Sequence, residues 1–385
     1  MLNFTYENTT RIHFGEGQIQ ALEKEIPKTA KVLMIYGGGS IHHNGVYDQV
    51  KDALKTHTVY EFSGVEPNPT YDTLMKAQSL IRDHQIDYLL AVGGGSVVDG
   101  TKFIAAAACY EDEDPWDIVK NNAIVHAALP IGAVLTLPAT GTESNVVSVV
   151  TRGESKLSFA SAHVRPQFAV LDPKVTLSLS ERQISNGVVD AFIHVIEQYL
   201  TYPVNAKVQD RFAEGLMQTL IEEGPKVLDP VSKDDLVVRS NIMWSATQAL
   251  SGLIGVGVPQ DWTTHLIGHE LTAAHGIDHA RTLSIVLPAV MKVCREAKRE
   301  KLLQYAARVW DIQEGDEDTR INHAIQKTEL FFQNMRVPVR LSDVGLGEQA
   351  IDPMLQKLES HGMTALGEKG EFDLAVCRNI LQEAL

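Results

Sequence analysis

Twice before residue 100 the chain runs from a short apolar strand-like segment into three glycines and a serine, and this repeat limits the fold more than any other feature. KVLMIY (Lys31 to Tyr36) opens onto Gly37, Gly38, Gly39 and Ser40, and DYLLAV opens onto Gly93, Gly94, Gly95 and Ser96. A buried run that breaks into glycines and restarts with helical spacing is a βα junction. Around these two junctions, FTYENTTRIHF predicts an opening strand, a helical stretch reaches about Lys55, HTVYEF predicts a strand and GVEPNPT a turn. TLMKAQSLIRDH and TKFIAAAAC carry helical spacing, while GAVLTL (Gly132 to Leu137) and QFAVLD (near Gln167) predict the last strands. Strands alternating with helices imply right-handed βαβ units and a parallel sheet. Residues 1–180 are therefore expected to form a Rossmann-like α/β domain.

From Ser180 the texture changes. Segments such as SERQISNGVVDAFIHVIEQYL, AKVQDRFAEGLMQTLIEE and DDLVVRSNIMWSATQALSGLI repeat apolar residues at helical period, so residues 181–385 are expected to form an all-helical domain. No long Pro/Gly/Ser linker separates the two, which predicts close packing around a shared cleft.

The second glycine loop ends a buried strand and starts a helix, where backbone N–H groups and the helix dipole accept a pyrophosphate. Its spacing is not G-x-G-x-x-G, and a tight βα turn without a ligand is the alternative. Asp99 and Lys102 follow within the next turns, and Thr136, Thr140 and Thr142 bring hydroxyls to the end of the neighbouring strand. The first loop lacks the carboxylate that NAD-preferring enzymes place after an early strand for the ribose 2′-OH. With Gly38 free of charge and Ser40 as a hydrogen-bond donor, NADP(H) is favoured, and a plain structural turn is the alternative. His42 and His43 add positive charge there only when protonated.

The helical half carries a second kind of chemistry. The stretch from Gly257 to Ala280 contains His265, His269, His275 and His279, and His265 and His269 share a helical face at i, i+4. Asp190 and His194 form a similar i, i+4 pair in NGVVDAFIHVIEQ. Imidazoles with one carboxylate suit Fe(II) or Zn(II) better than Ca²⁺ or Mg²⁺. Either pair alone is more simply a helix N-terminal carboxylate or a satisfied core histidine; the two pairs together favour a metal in a bundle core. A metal-dependent hydrolase is the rival chemistry, because His269-Glu270 begins an H-E-x-x-H sequence. Its final position is Ala273, and hydrolysis leaves both glycine loops without a purpose. A non-catalytic NADP-binding module is the other rival, and it leaves the histidines without one.

The balance of 34 Lys and Arg against 49 Asp and Glu, a net charge of −15, argues against nucleic acid and anionic membranes as partners. Cys109, Cys294 and Cys377 are widely spaced and lack a C-x-x-C pair, so no disulfide framework or zinc ribbon is indicated. The start MLNFTYENTTRIHFG has no signal-peptide pattern and AALPIGAVLTLPA is too short to span a bilayer. A cytoplasmic location is the expectation.

The combination of YGGGS, EPNPTYDTL, AVGGGSVVDGTKFIAAA, LTLPATGTESN, NGVVDAFIHVIEQY and the histidine stretch resembles the iron-containing, or group III, alcohol dehydrogenases, in their NADPH-dependent aldehyde reductase and butanol dehydrogenase branch. The resemblance covers essentially the whole chain. It implies a dinucleotide-binding α/β domain followed by a helical metal-binding domain, a dehydroquinate synthase-like architecture. It also implies Asp190, His194, His265 and His279 as ligands of one Fe(II) or Zn(II), which leaves His269 as a near neighbour that supports the ligands or relays a proton, and gives His275 no role. Gly93 to Ser96 would hold the pyrophosphate of NADP(H) and Gly37 to Ser40 the adenosine side, with Gly38 and Ser40 at the 2′-phosphate. Thr136, Thr140 and Thr142 would line the nicotinamide, with Asp99 beside it in a catalytic role; Asn68 and Lys156 would also reach the cofactor. The implied reaction is hydride transfer between NADPH and short- to medium-chain aldehydes, and the implied assembly a homodimer joined through the N-terminal segment.

Overall fold

The computed structural model describes residues 1–385. Eight strands occur: β1 (Arg11–Phe14), β2 (Lys31–Tyr36), β3 (Thr58–Phe62), β4 (Tyr88–Gly93), β5 (Ile131–Leu135), β6 (Val147–Arg152), β7 (Ser155–Ala160) and β8 (Phe168–Leu171). Six of them form one sheet in the order β1-β8-β5-β4-β2-β3, and every pairing in it is parallel. The central strands read as continuous apolar runs because helices cover both faces. Strand periodicity divides their side chains: Leu33, Ile35, Leu89 and Ala91 enter one core, and Val32, Met34, Leu90 and Val92 the other.

Counting helices of eight residues or more, this unit contains α1 (Val46–Ala53), α2 (Ala77–His84) and α3 (Gly95–Ala107). After β2 the chain goes outward to β3, then returns to the other side of β2 to form β4. The direction of winding therefore reverses between β2 and β4. In open α/β sheets ligands bind beyond the carboxyl ends of the strands at such a reversal. Tyr36 is in register with Val92, so the two glycine loops leave the sheet side by side.

The sequence pattern predicts no strand between Leu137 and Gln167, yet β6 and β7 form an antiparallel hairpin there. Hydroxyls and charges interrupt VSVVTR and SKLSFA, which hides the alternation. Ser148, Val150, Lys156 and Phe159 are nonetheless buried. The turn between them, Gly153 and Glu154, has Gly153 at φ 60°, as two-residue hairpin loops require. Lys156 is thus a buried strand residue, whereas its polar surroundings in the sequence suggest a solvated one.

The opening strand is also shorter than its sequence suggests. Only Arg11–Phe14 pairs, with β8, and Met1–Tyr6 group with the helical residues Glu181–Leu385, leaving Glu7–Ser180 as the other compact unit. The first six residues thus leave the α/β domain that the sequence pattern assigns to 1–180. The cause is local: Leu2 N donates to Gly257 O (2.9 Å), and Gly257 has φ 67°. A Cβ on Gly257 would stand 2.6 Å from Phe4 Cδ1, so only glycine lets the arm lie there.

The helical unit contains α4 (Glu181–Tyr199), α5 (Lys207–Glu223), α6 (Leu236–Ala249), α7 (Thr263–His275), α8 (His279–Val293), α9 (Arg299–Val309), α10 (Glu317–Asn334), α11 (Ile351–Ser360) and α12 (Leu374–Glu383). Helix α4 is its axis, with every residue from Gly187 to Tyr199 buried. A helix buried all round has no solvated face on which to put charge. Its Asp190, His194 and Glu197 therefore need partners inside.

Candidate active site

Asp190 and His194 stand on one face of α4, and Glu197 extends that face at i+7. Helix α7 stops at Gly276 (φ 66°), and three residues later His279 starts α8, so the two helices fold back on each other. Asp278, in the turn, accepts from Arg182 Nε (2.6 Å) and Asn186 Nδ2 (2.8 Å) on the first turns of α4. This ties the start of α8 to the helix that carries Asp190.

The result is a cluster in which one ligand atom each of Asp190, His265 and His279 lies within 4.8 Å of the others. His265 Nε2 is 3.9 Å from Asp190 Oδ1. Two donors about 2.0–2.2 Å from a tetrahedral ion lie about 3.3–3.6 Å apart, so this spacing fits a divalent cation after a small contraction. Two imidazoles and a carboxylate, nearly shut off from solvent, also suit iron or zinc chemically. His194 is adjacent but outside that three-donor cluster. Its ring centroid is 4.3 Å from that of His265, and its Nδ1 approaches Asp190 O (2.8 Å) and Oδ1 (3.1 Å). Nδ1–H on the backbone carbonyl leaves Nε2 as the lone-pair nitrogen.

His269 is half-buried, its ring centroid 4.8 Å from that of His279, and no part of the three-donor cluster. His275 is exposed at the end of α7. Glu197 carries no function in the sequence pattern, yet it contacts the site directly: its Oε2 meets His265 Nδ1, and its Oε1 accepts from His265 N (3.2 Å). The signal was its place at i+7 from Asp190. Trp262, also unassigned by the sequence, sets its ring edge-on to His265, 5.4 Å between centroids.

In the α/β unit, the glycine loop after β4 is shaped by close approach. A Cβ on Gly93 would stand 2.5 Å from Val97 Cγ2, one on Gly94 3.1 Å from Leu137 Cβ, and one on Gly95 3.1 Å from Thr140 Oγ1. No side chain caps the N-terminus of α3, which follows. Ser96 Oγ accepts from the backbone N of Asn68, which has φ 56°, so the EPNP turn is hinged to the loop. Thr136 N donates to Gly93 O (2.9 Å). In the first loop Gly38 and Ser40 are exposed.

Thr142 is buried and Asp99 partly buried, and the two share one hydrogen-bond network. Thr142 Oγ1 donates to Asp99 Oδ1 (2.5 Å) and accepts from Lys102 Nζ (2.8 Å); Val149 N donates to Asp99 Oδ2 (3.2 Å). Both carboxylate oxygens are thus engaged within the unit. Lys102 also donates to Asn145 Oδ1 (2.8 Å) and Val147 O (2.7 Å). Burial pulls the Lys102 pKa down to about 7 against the attraction of Asp99, and burial pushes that of Asp99 up against Lys102 and Thr142. Lys156 adds a second positive charge near Asp99.

Comparisons with known proteins give the family. Residues 9–173 match the family model for iron-containing alcohol dehydrogenase, and residues 184–372 the model for the C-terminal region of the Fe-containing alcohol dehydrogenase family. The chain is 57% identical to the NADPH-dependent aldehyde reductase YqhD of Escherichia coli over 100% of both chains. It is 36% identical to the NADH-dependent butanol dehydrogenase A of Clostridium acetobutylicum over 93% of each. Among solved structures, E. coli YqhD superposes with a TM-score of 0.98 at 56% identity, covering 100% of this chain and 99% of that one. The NADH-dependent butanol dehydrogenase A of Thermotoga maritima superposes at 0.94 with 35% identity and the same coverage. With both halves matched by the family models, the chain belongs to the iron-containing alcohol dehydrogenase family.

Proposed function

We propose that the protein reduces short- to medium-chain aldehydes with NADPH, and oxidises the corresponding primary alcohols in reverse, using one divalent iron or zinc ion. The observation that carries this reading is the cluster of buried Asp190 and His265 with partly buried His279 in a chain of this family. A hydrolase leaves the nucleotide loops at the sheet's reversal point unused, and a non-catalytic binding module leaves the donor cluster unused.

When bound, NADPH supplies the hydride and the metal supplies Lewis-acid polarisation of the carbonyl oxygen. The chain's own residues do the rest. Asp190, His265 and His279 are assigned as ligands, and His194, with Nε2 as its lone-pair nitrogen, would be the fourth. His269, half-buried and without ligand duty, is assigned to deliver the proton to the product oxygen. Gly93 to Ser96 receive the pyrophosphate at the uncapped start of α3, and Asn68 fixes that loop through Ser96. Gly37, Gly38, Gly39 and Ser40 take the 2′-phosphate side, and Thr136 and Thr140 face the nicotinamide. Asp99, Thr142, Lys102 and Lys156 act by bracing α3 against the segment from Thr140 to Val149 rather than by reacting.

A homodimer in the cytosol is part of the same reading. Strand β1 lies at the sheet edge, where unpaired backbone groups accept another strand, and Leu2, Phe4 and Tyr6 expose apolar surface. No helix is long and apolar enough to cross a membrane, and the three cysteines are free thiols. The deciding experiment replaces His265 or His279 with Ala. Bound iron or zinc and butanal-dependent NADPH oxidation should be lost together, kcat/KM falling about a thousandfold or more. Full activity in a metal-free variant overturns the proposal.

A further inference from the structure

Glu197 is a buried carboxylate, 4% exposed, for which a dehydrogenase mechanism names no task. One oxygen, Oε1, accepts from the backbone N–H of His265 at 3.2 Å. The other, Oε2, meets the ring Nδ1 of the same residue. Burial and Asp261 push the Glu197 pKa well above the ordinary carboxylate range, against the His265 backbone N–H and His194; in the ionised form, which a cation beside His265 would favour, both oxygens only accept, so Nδ1 carries the proton. Nε2 is then the lone-pair nitrogen, and it is the atom that lies 3.9 Å from Asp190 Oδ1. Glu197 thus fixes three things about His265 at once: its tautomer, its ring plane and the height of its backbone against α4.

The surroundings hold Glu197 and its target in a common frame. Asp261 N donates to Glu197 O (3.0 Å), two residues before α7 begins. The Asp261 carboxylate takes the first turn of α7 through Thr263 N (2.9 Å) and Oγ1 (2.6 Å), and its other oxygen pairs with Lys298 Nζ at 2.7 Å. Lys298, 3% exposed, also donates to Leu200 O (2.7 Å), just past the end of α4, and pairs with Glu368 (3.1 Å). A single buried ammonium therefore bolts the start of α7 to the end of α4, and Glu197 transmits that placement to the imidazole.

We propose that Glu197 is a positioning residue for metal binding, holding His265 as the Nε2 donor in the orientation that ligation requires. This rests on the assignment of His265 as a ligand. Carboxylates that accept from the second nitrogen of a ligating histidine commonly contribute 10- to 100-fold in metal affinity. The competing role is purely structural, a carboxylate satisfying the His265 N–H in the first turn of α7 beside the Asp261 carboxylate that takes Thr263 N.

The test uses the full-length zinc-loaded protein titrated with a chromophoric zinc chelator, together with the thermal midpoint of each variant before and after zinc removal. Glu197→Ala should weaken zinc retention about 10- to 100-fold. Glu197→Gln, which keeps an acceptor for Nδ1–H but loses the one for the His265 backbone N–H, should recover most of that loss in zinc retention even though its metal-free midpoint falls below the parent's. Wild-type zinc retention in both variants overturns the inference, as does a drop in the metal-free midpoint with retention unchanged, the mark of a helix cap alone. His265→Ala in parallel separates the two levels. If that variant holds zinc as the parent does, the ligand assignment itself fails; if only the Glu197 variants are silent, the positioning role fails and the ligand assignment stands.

Discussion

At Gly38 the question of cofactor choice reduces to one missing side chain. A Cβ added there meets nothing within 4 Å, and the residue lies outside the left-handed region, so an aspartate is accommodated without strain. Gly38→Asp should therefore fold normally and raise the KM for NADPH tenfold or more while changing that for NADH much less, because a carboxylate repels a 2′-phosphate. Equal effects on the two cofactors would place the 2′-phosphate elsewhere. The residue scale also shows where sequence pattern is weakest. Asp190 and His265 stand out as motif members, whereas Glu197 is one of many helical glutamates until α7 is laid against it. Asp99 and Thr142, which the sequence assigns to the cofactor, are brought together by the fold: Thr142 donates to Asp99 and accepts from Lys102, two links that no local spacing announces.

Among the elements, the β6–β7 hairpin departs most from the sequence pattern; Val150 and Phe159 seat it in the core, and an ion pair adds to that at its end. Arg152, the last residue of β6, pairs with Asp114 Oδ2 at 2.7 Å and lies over the Tyr71 ring at 4.2 Å. Asp114 also accepts from Tyr71 Oη (2.7 Å) and Trp116 N (3.0 Å). Burial pushes the Asp114 pKa up, but Arg152, Trp116 N and Tyr71 outweigh it and hold the pKa at about 2. The folded value lies below the ordinary 3.8. The stabilisation is therefore complete above that ordinary value and disappears as pH falls toward 2. Both side chains are about 40% exposed, so screening keeps the pair near 0.5–1 kcal/mol. Asp114→Asn should lower stability by about that amount in urea titrations at neutral pH, and the difference should shrink as pH drops below the ordinary 3.8 and vanish only as it falls through about 2. A difference that persists at the lowest pH would mean that the carboxylate's charge is not the source of the Asp114 contribution.

Over the whole molecule, the remaining prediction concerns assembly. A β1 edge open to pairing and an apolar N-terminal arm predict a particle of about twice the 42.4 kDa chain mass in light scattering. A single-chain mass across micromolar concentrations would refute it. The fold class and the chemistry were legible in the sequence because they depend on short-range regularities. Strand-glycine-helix junctions set a parallel sheet, helical periodicity set the second half, and histidines at helical spacing announced a metal. What only the tertiary structure decided depends on residues far apart in the chain: the side-by-side exit of both glycine loops at the β2/β4 reversal, the buried hairpin that carries Lys156, the attachment of Met1–Tyr6 to the helical unit, and the convergence of Asp190, Glu197, His265 and His279. The physical reason is that periodicity reports which face of an element is buried, while the partner against which that face is buried is set by packing among elements hundreds of ångströms of chain apart when extended.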